Sequence, residues 1–69
     1  MNIALARGQA WKPVLFGGAS PAREIFAVED DIVTYRTVGT GDHRDHKLNR
    51  YDFVAWIVYW QAYQTEITQ

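Results

Sequence analysis

Cysteine is absent from the 69-residue chain, which excludes disulfide bridges and thiolate metal sites. Serine occurs once, at Ser20, and no Gly-x-Ser-x-Gly elbow surrounds it, so there is no motif for a serine nucleophile. Acidic residues are missing from the first 23 positions, where Arg7, Lys12 and Arg23 stand alone. The longest apolar run, Phe53 to Trp60, falls far short of the roughly 20 residues a membrane helix needs. The start, Met1 to Ala6, is too short for a signal h-region and is interrupted by Arg7. These absences lead to the expectation of one small soluble, cytoplasmic domain with no membrane partner.

A chain this short buries only about 60% of the surface it exposes when unfolded, so its core needs help. With disulfides excluded, dense packing and self-association remain. Aromatic residues supply the packing: three Trp, four Tyr and three Phe make up 14% of the chain. The net charge of −1 argues against tight non-specific nucleic-acid binding, which needs a basic surface.

The apolar pattern divides into strands followed by a helix. Gly8 to Phe16 reads as a first strand that Pro13 confines to an edge or breaks. Gly17-Gly18-Ala19-Ser20-Pro21 is a loop. Ala22 to Val28 and Ile32 to Val38 read as a β-hairpin turning at Glu29-Asp30-Asp31, with Val33 and Tyr35 inward and Arg36 outward. Lys47-Leu48 is a short fourth strand. A helix then starts at Asn49, a favoured N-cap, with Asp52 in its first turn and Leu48 and Phe53 spaced as a hydrophobic staple. Phe53, Trp56, Ile57 and Trp60 form its core face. The β-branched and aromatic content of Phe53 to Trp60 leaves a strand as the alternative. The fold expected is α+β: a small bent antiparallel sheet of three to four strands followed by one C-terminal helix.

Gly8-Gln9-Ala10-Trp11, Ile25 to Val28, Asp31-Ile32-Val33-Thr34-Tyr35-Arg36 and Leu48 to Trp56 together resemble the small SH3-like barrel proteins of phages and bacterial mobile elements. The likeness covers residues 8–60 and rests on short motifs, chiefly a Val-x-Tyr-Arg third strand. It implies an SH3-like barrel that binds a protein or a nucleic acid without catalysis. It carries over no binding site.

Three groups of residues are candidates for function. Val58, Tyr59, Ala62 and Tyr63 extend the helix's apolar character beyond what one core face uses, which marks an interface for a protein partner or a homodimer. A patch of Tyr35, Arg36, Arg44, Lys47 and Arg50 suits a nucleic-acid-binding barrel instead. His43 and His46, beside Asp42 and Asp45, have ligand chemistry for a metal such as zinc but lack a third and fourth ligand at suitable spacing. No phosphate-loop, cofactor or catalytic motif is present, so neither a cofactor, a small-molecule substrate nor an enzymatic activity is expected. The leading expectation is a non-enzymatic interaction protein, encoded by a phage or mobile element, that acts on a larger host protein or complex.

Overall fold

The computed structural model describes residues 3–65, so Met1 and Asn2 of the mildly apolar start lie outside it. The chain runs β1 (Ala10–Lys12), α1 (Leu15–Gly18), β2 (Arg23–Glu29), β3 (Ile32–Thr37), β4 (His46–Asn49), α2 (Arg50–Trp60) and β5 (Tyr63–Thr65). The strands form one antiparallel sheet in the order β4-β3-β2-β1-β5. Among the described residues it is not closed: β4 and β5 are its two edges. Among the described residues no helix is long and apolar enough to cross a membrane.

The hairpin β2–β3 turns through Asp30 and Asp31, both left-handed at φ 49° and 64°. Two positive φ values between paired strands are the type I′ arrangement, whose twist matches that of the strands. Acidic residues occupy it in place of the favoured Asn-Gly. The pairing shifts register between Ile25 and Ala27, leaving Phe26 as the extra residue of a β-bulge. The bulge lets Ile25 and Val28, an odd number of positions apart, both reach the core.

Helix α2 starts where its signals place it. Asn49 is extended and its side chain accepts the Tyr51 N–H at 2.8 Å. Leu48 and Phe53 both pack into the core, as a staple requires. The helix ends at Trp60, because Gln61 turns left-handed. The Gln61 N–H then bonds to the Val58 carbonyl, and the Ala62 N–H reaches back to Ile57 at 2.9 Å. This pair of bonds is a Schellman cap, usually closed by glycine.

The core is Trp11, Ile25, Val33, Phe53 and Ile57, with Ile3, Leu5, Val28, Tyr35, Leu48, Trp56 and Ala62 packed around it. Phe53 and Val33 are wholly buried. Trp56 and Trp60, expected in the core face, are only half-buried.

Four expectations need correction. The sheet has five strands, and one follows the helix, so α2 is not the last element. Tyr63 and Ala62 therefore lie beyond the helix, Tyr63 in β5 opposite Lys12. The first strand stops at Lys12, before Pro13, which has no N–H for the ladder. Leu15 and Phe16 belong to the turn α1, where Phe16 and Gly17 are left-handed at φ 56° and 67°.

Candidate functional site

The surplus apolar surface of α2 is real, and it is larger than the helix. Past Asp52 every residue of α2 is apolar or aromatic. Phe53 and Ile57 point into the core, which leaves Val58 and Tyr59 exposed by 58% and 61%. Trp60 joins this face to α1. The Phe16 ring meets it edge-on at 5.6 Å, Tyr59 does the same, and the Val14 N–H bonds to its carbonyl at 3.1 Å. Phe16 is 67% exposed and Val14 is also exposed. A left-handed backbone at a phenylalanine costs about 1–2 kcal/mol. The fold sustains that strain at a residue whose ring is mostly in water.

Val58 also borders a groove of about 370 Å³ lined by Ile3, Trp11, Ile57, Val58, Gln61 and Ala62. Of its lining residues Trp11 and Ile57 are buried in the core, and Ala62 is tied to Ile57 through the helix cap. Val58 and Ala62 are thus brought to one groove. Tyr59 stands with Trp60 and Phe16. Tyr63 is carried by β5 and is 48% exposed.

The basic candidates do not gather into a free patch. Arg36 pairs with Asp45 at 2.6 Å and lies over the Phe26 ring at 4.5 Å. Arg44 pairs with Asp42 at 3.2 Å, and Arg50 with Asp31 at 3.3 Å. Lys47 alone of the group has no ion pair among the described residues. Tyr35 is half-buried on the core side of β3, stacked on His46 at 5.4 Å and edge-on to Phe53.

The histidines also part company. His46 shares a hydrogen bond of 2.9 Å with Asp42, while His43 is exposed. Among the described residues no three His, Cys, Asp or Glu side chains are placed to hold a metal. Asp42 is the acceptor at the centre of its loop. It takes the Arg44 backbone N–H at 3.0 Å, the Arg44 guanidinium and His46. These bonds, the backbone one foremost, hold its carboxyl well below the usual carboxylate range.

One residue emerges that the sequence reading did not single out. Arg23 places its guanidinium 4.1 Å from the Trp56 ring centre and 4.6 Å from that of Tyr35, with Phe53 at 5.7 Å. Its Nη1 is buried without a hydrogen-bond acceptor. Burial pushes its pKa down, against an opposing pull from Tyr35. The signal was strand parity: Arg23 is two positions before Ile25, so both fall on the core side of β2.

The chain matches no protein-family model, and no curated protein or solved structure matches it.

Proposed function

We propose that this chain is a non-enzymatic interaction protein that binds a protein partner through the apolar surface of Phe16, Val58, Tyr59 and Trp60. The observation that supports it most is exposed Phe16, held on strained backbone against Trp60 at the edge of a helix that is apolar on every side. Large exposed apolar patches on small proteins mark interaction sites, and aromatic side chains are their usual anchors. The neighbouring groove offers a recess for an apolar side chain of the partner. A larger host protein or complex fits this role, and a second copy of the chain is its homodimeric form.

The nucleic-acid reading is weaker. Three of its four arginine and lysine members are neutralised by carboxylates, and its tyrosine is turned toward the core. The SH3-like reading is supported by the run of strand, loop, hairpin, short strand and helix. The open sheet departs from a barrel.

The test is a photo-crosslinking amino acid placed at Tyr59 and, as control, at Asp30 in the exposed hairpin turn, with irradiation in the source cell. A discrete protein adduct at position 59 and none at 30 is expected. Adducts at neither position, or equally at both, overturn the proposal.

A further inference from the structure

Arg23 is held unlike Arg36, Arg44 and Arg50. Arg36, Arg44 and Arg50 each meet a carboxylate. Arg23 meets none among the described residues, although it is the one clamped between rings on the core side of the sheet. Ring faces attract a cation through their quadrupole, and the clamp accounts for the charge's presence there. Faces do not, however, accept the in-plane N–H bonds that a guanidinium offers. Nη1 is buried with no acceptor, and it is the one nitrogen of this guanidinium in that state among the described residues.

That division of the guanidinium is informative. Nε–H and one Nη2–H point the same way and are parallel, and this edge matches the two oxygens of a carboxylate. Nη1 lies on the opposite side of the fork. The end that side-on pairing does not use is therefore the buried one, and the rings of Tyr35 and Trp56 lie against the group that carries the other. Contacts with two rings restrict the side chain, so it has less entropy to lose on binding than a free surface arginine.

We propose that Arg23 is the receptor of a carboxylate-binding site, with the Nε–Nη2 edge taking both oxygens of the ligand and the rings of Tyr35 and Trp56 holding that edge in place. A carboxylate fits better than a phosphate group. A single planar two-donor edge matches it, whereas phosphates draw several cations, and Arg36, Arg44 and Arg50 are already engaged. The proposal is independent of the apolar surface around Tyr59. The carboxylate comes either from a free small acid or from an acidic side chain of a protein.

The test follows the arginine Nε–H signals of the ¹⁵N-labelled full chain at pH 6. Sodium acetate is added in one series and sodium chloride at equal ionic strength in another. A third series uses acetyl-Gly-Gly-Glu-Gly-Gly-amide. Arg7, exposed and without a carboxylate partner among the described residues, is the internal reference. A saturable downfield shift of the Arg23 signal with acetate, several-fold larger than that of Arg7 and absent with chloride, is expected. Equal affinity for acetate and peptide identifies a free acid as the ligand, and several-fold tighter peptide binding identifies a protein side chain. An Arg23 signal that tracks chloride, or moves no more than Arg7, overturns the proposal. In Arg23→Lys, where amide shifts show the fold intact, the acetate response of the Trp56 indole N–H should vanish. Its persistence would likewise count against the site, and the wild-type comparison stands if the variant does not fold.

Discussion

Replacing Phe53 with alanine should remove half or more of the stability of this protein. Phe53 is wholly buried and central to the core. Its ring makes an edge-on contact with Tyr35 at 5.4 Å and a tilted one with Trp56 at 5.6 Å. Truncating a buried phenylalanine costs about 3–5 kcal/mol, from lost transfer energy and the cavity left behind. Aromatic pairs add about 0.5–1.5 kcal/mol each beyond burial, which puts Phe53→Ala toward the upper end. At about 0.05–0.15 kcal/mol per residue, a chain of 69 residues has roughly 3–10 kcal/mol in all. At the lower half of that range the variant is unfolded at 25 °C, and at the upper end it keeps about half of its stability. Val58→Ala, five positions along the same helix but 58% exposed, should cost under about 0.5 kcal/mol. Urea unfolding followed by tryptophan fluorescence reads both. A Phe53→Ala loss below about 1.5 kcal/mol, or a Val58→Ala loss equal to it, would refute the assignment of the helix's buried face.

Other consequences are smaller. Asn49→Ala removes the side-chain acceptor of the Tyr51 N–H and should cost about 1 kcal/mol in the same urea assay. Asp31→Gly gives the Asp-Gly pair that a type I′ turn favours and should raise stability by up to about 1 kcal/mol, less what the exposed pair with Arg50 contributes; a melting temperature lowered by more than the loss of that pair would contradict the type I′ turn. The Asp42 carboxyl titrates lower in the folded chain than in the unfolded one. Its contribution is therefore complete above the ordinary carboxylate value and fades as pH falls below it. Asp42→Asn should accordingly flatten the decline of the urea midpoint between pH 5 and 3, and an unchanged slope would show that the loop bonds are not populated. If the surface around Tyr59 also joins two copies, sedimentation velocity should show a concentration-dependent dimer for wild type and a monomer for Tyr59→Glu.

The local signals in the sequence were the legible ones. Asn49, Asp52 and the Leu48–Phe53 staple act within one turn of chain, and the helix begins where they put it. The hairpin of β2 and β3 likewise follows from two apolar runs around a short acidic turn. What escaped depends on residues adopting conformations they rarely prefer. Gln61 ends α2 in a left-handed cap, with none of the glycine that usually announces one. With the end of the helix hidden, the apolar pattern runs on through Tyr63 as if helical and carries no signal for β5. Phe16 is left-handed for a similarly non-local reason, its ring lying against Trp60 some forty residues away. The bulge at Phe26 defeats simple alternation, because parity changes within β2 itself.

The candidate surface was legible in part. Val58 and Tyr59 were visible as apolar residues left over after the core face was assigned, and they are exposed. Phe16 and Val14 were not, because sequence assigned them to a strand. The basic group looked contiguous along the chain, but no rule of spacing tells which carboxylate each arginine will meet in space. Arg23 stood on the core side of its strand, a position that called for an explanation.

The most direct measurement on the surface itself is hydroxyl-radical footprinting of the protein in intact source cells and after purification at low micromolar concentration. Phe16 and Tyr59 should be labelled several-fold less in the cell than in isolation, while Tyr51, 70% exposed at the start of the same helix, should be labelled alike in both. Equal labelling of Phe16 and Tyr59 in the two settings would contradict the existence of a partner on this face.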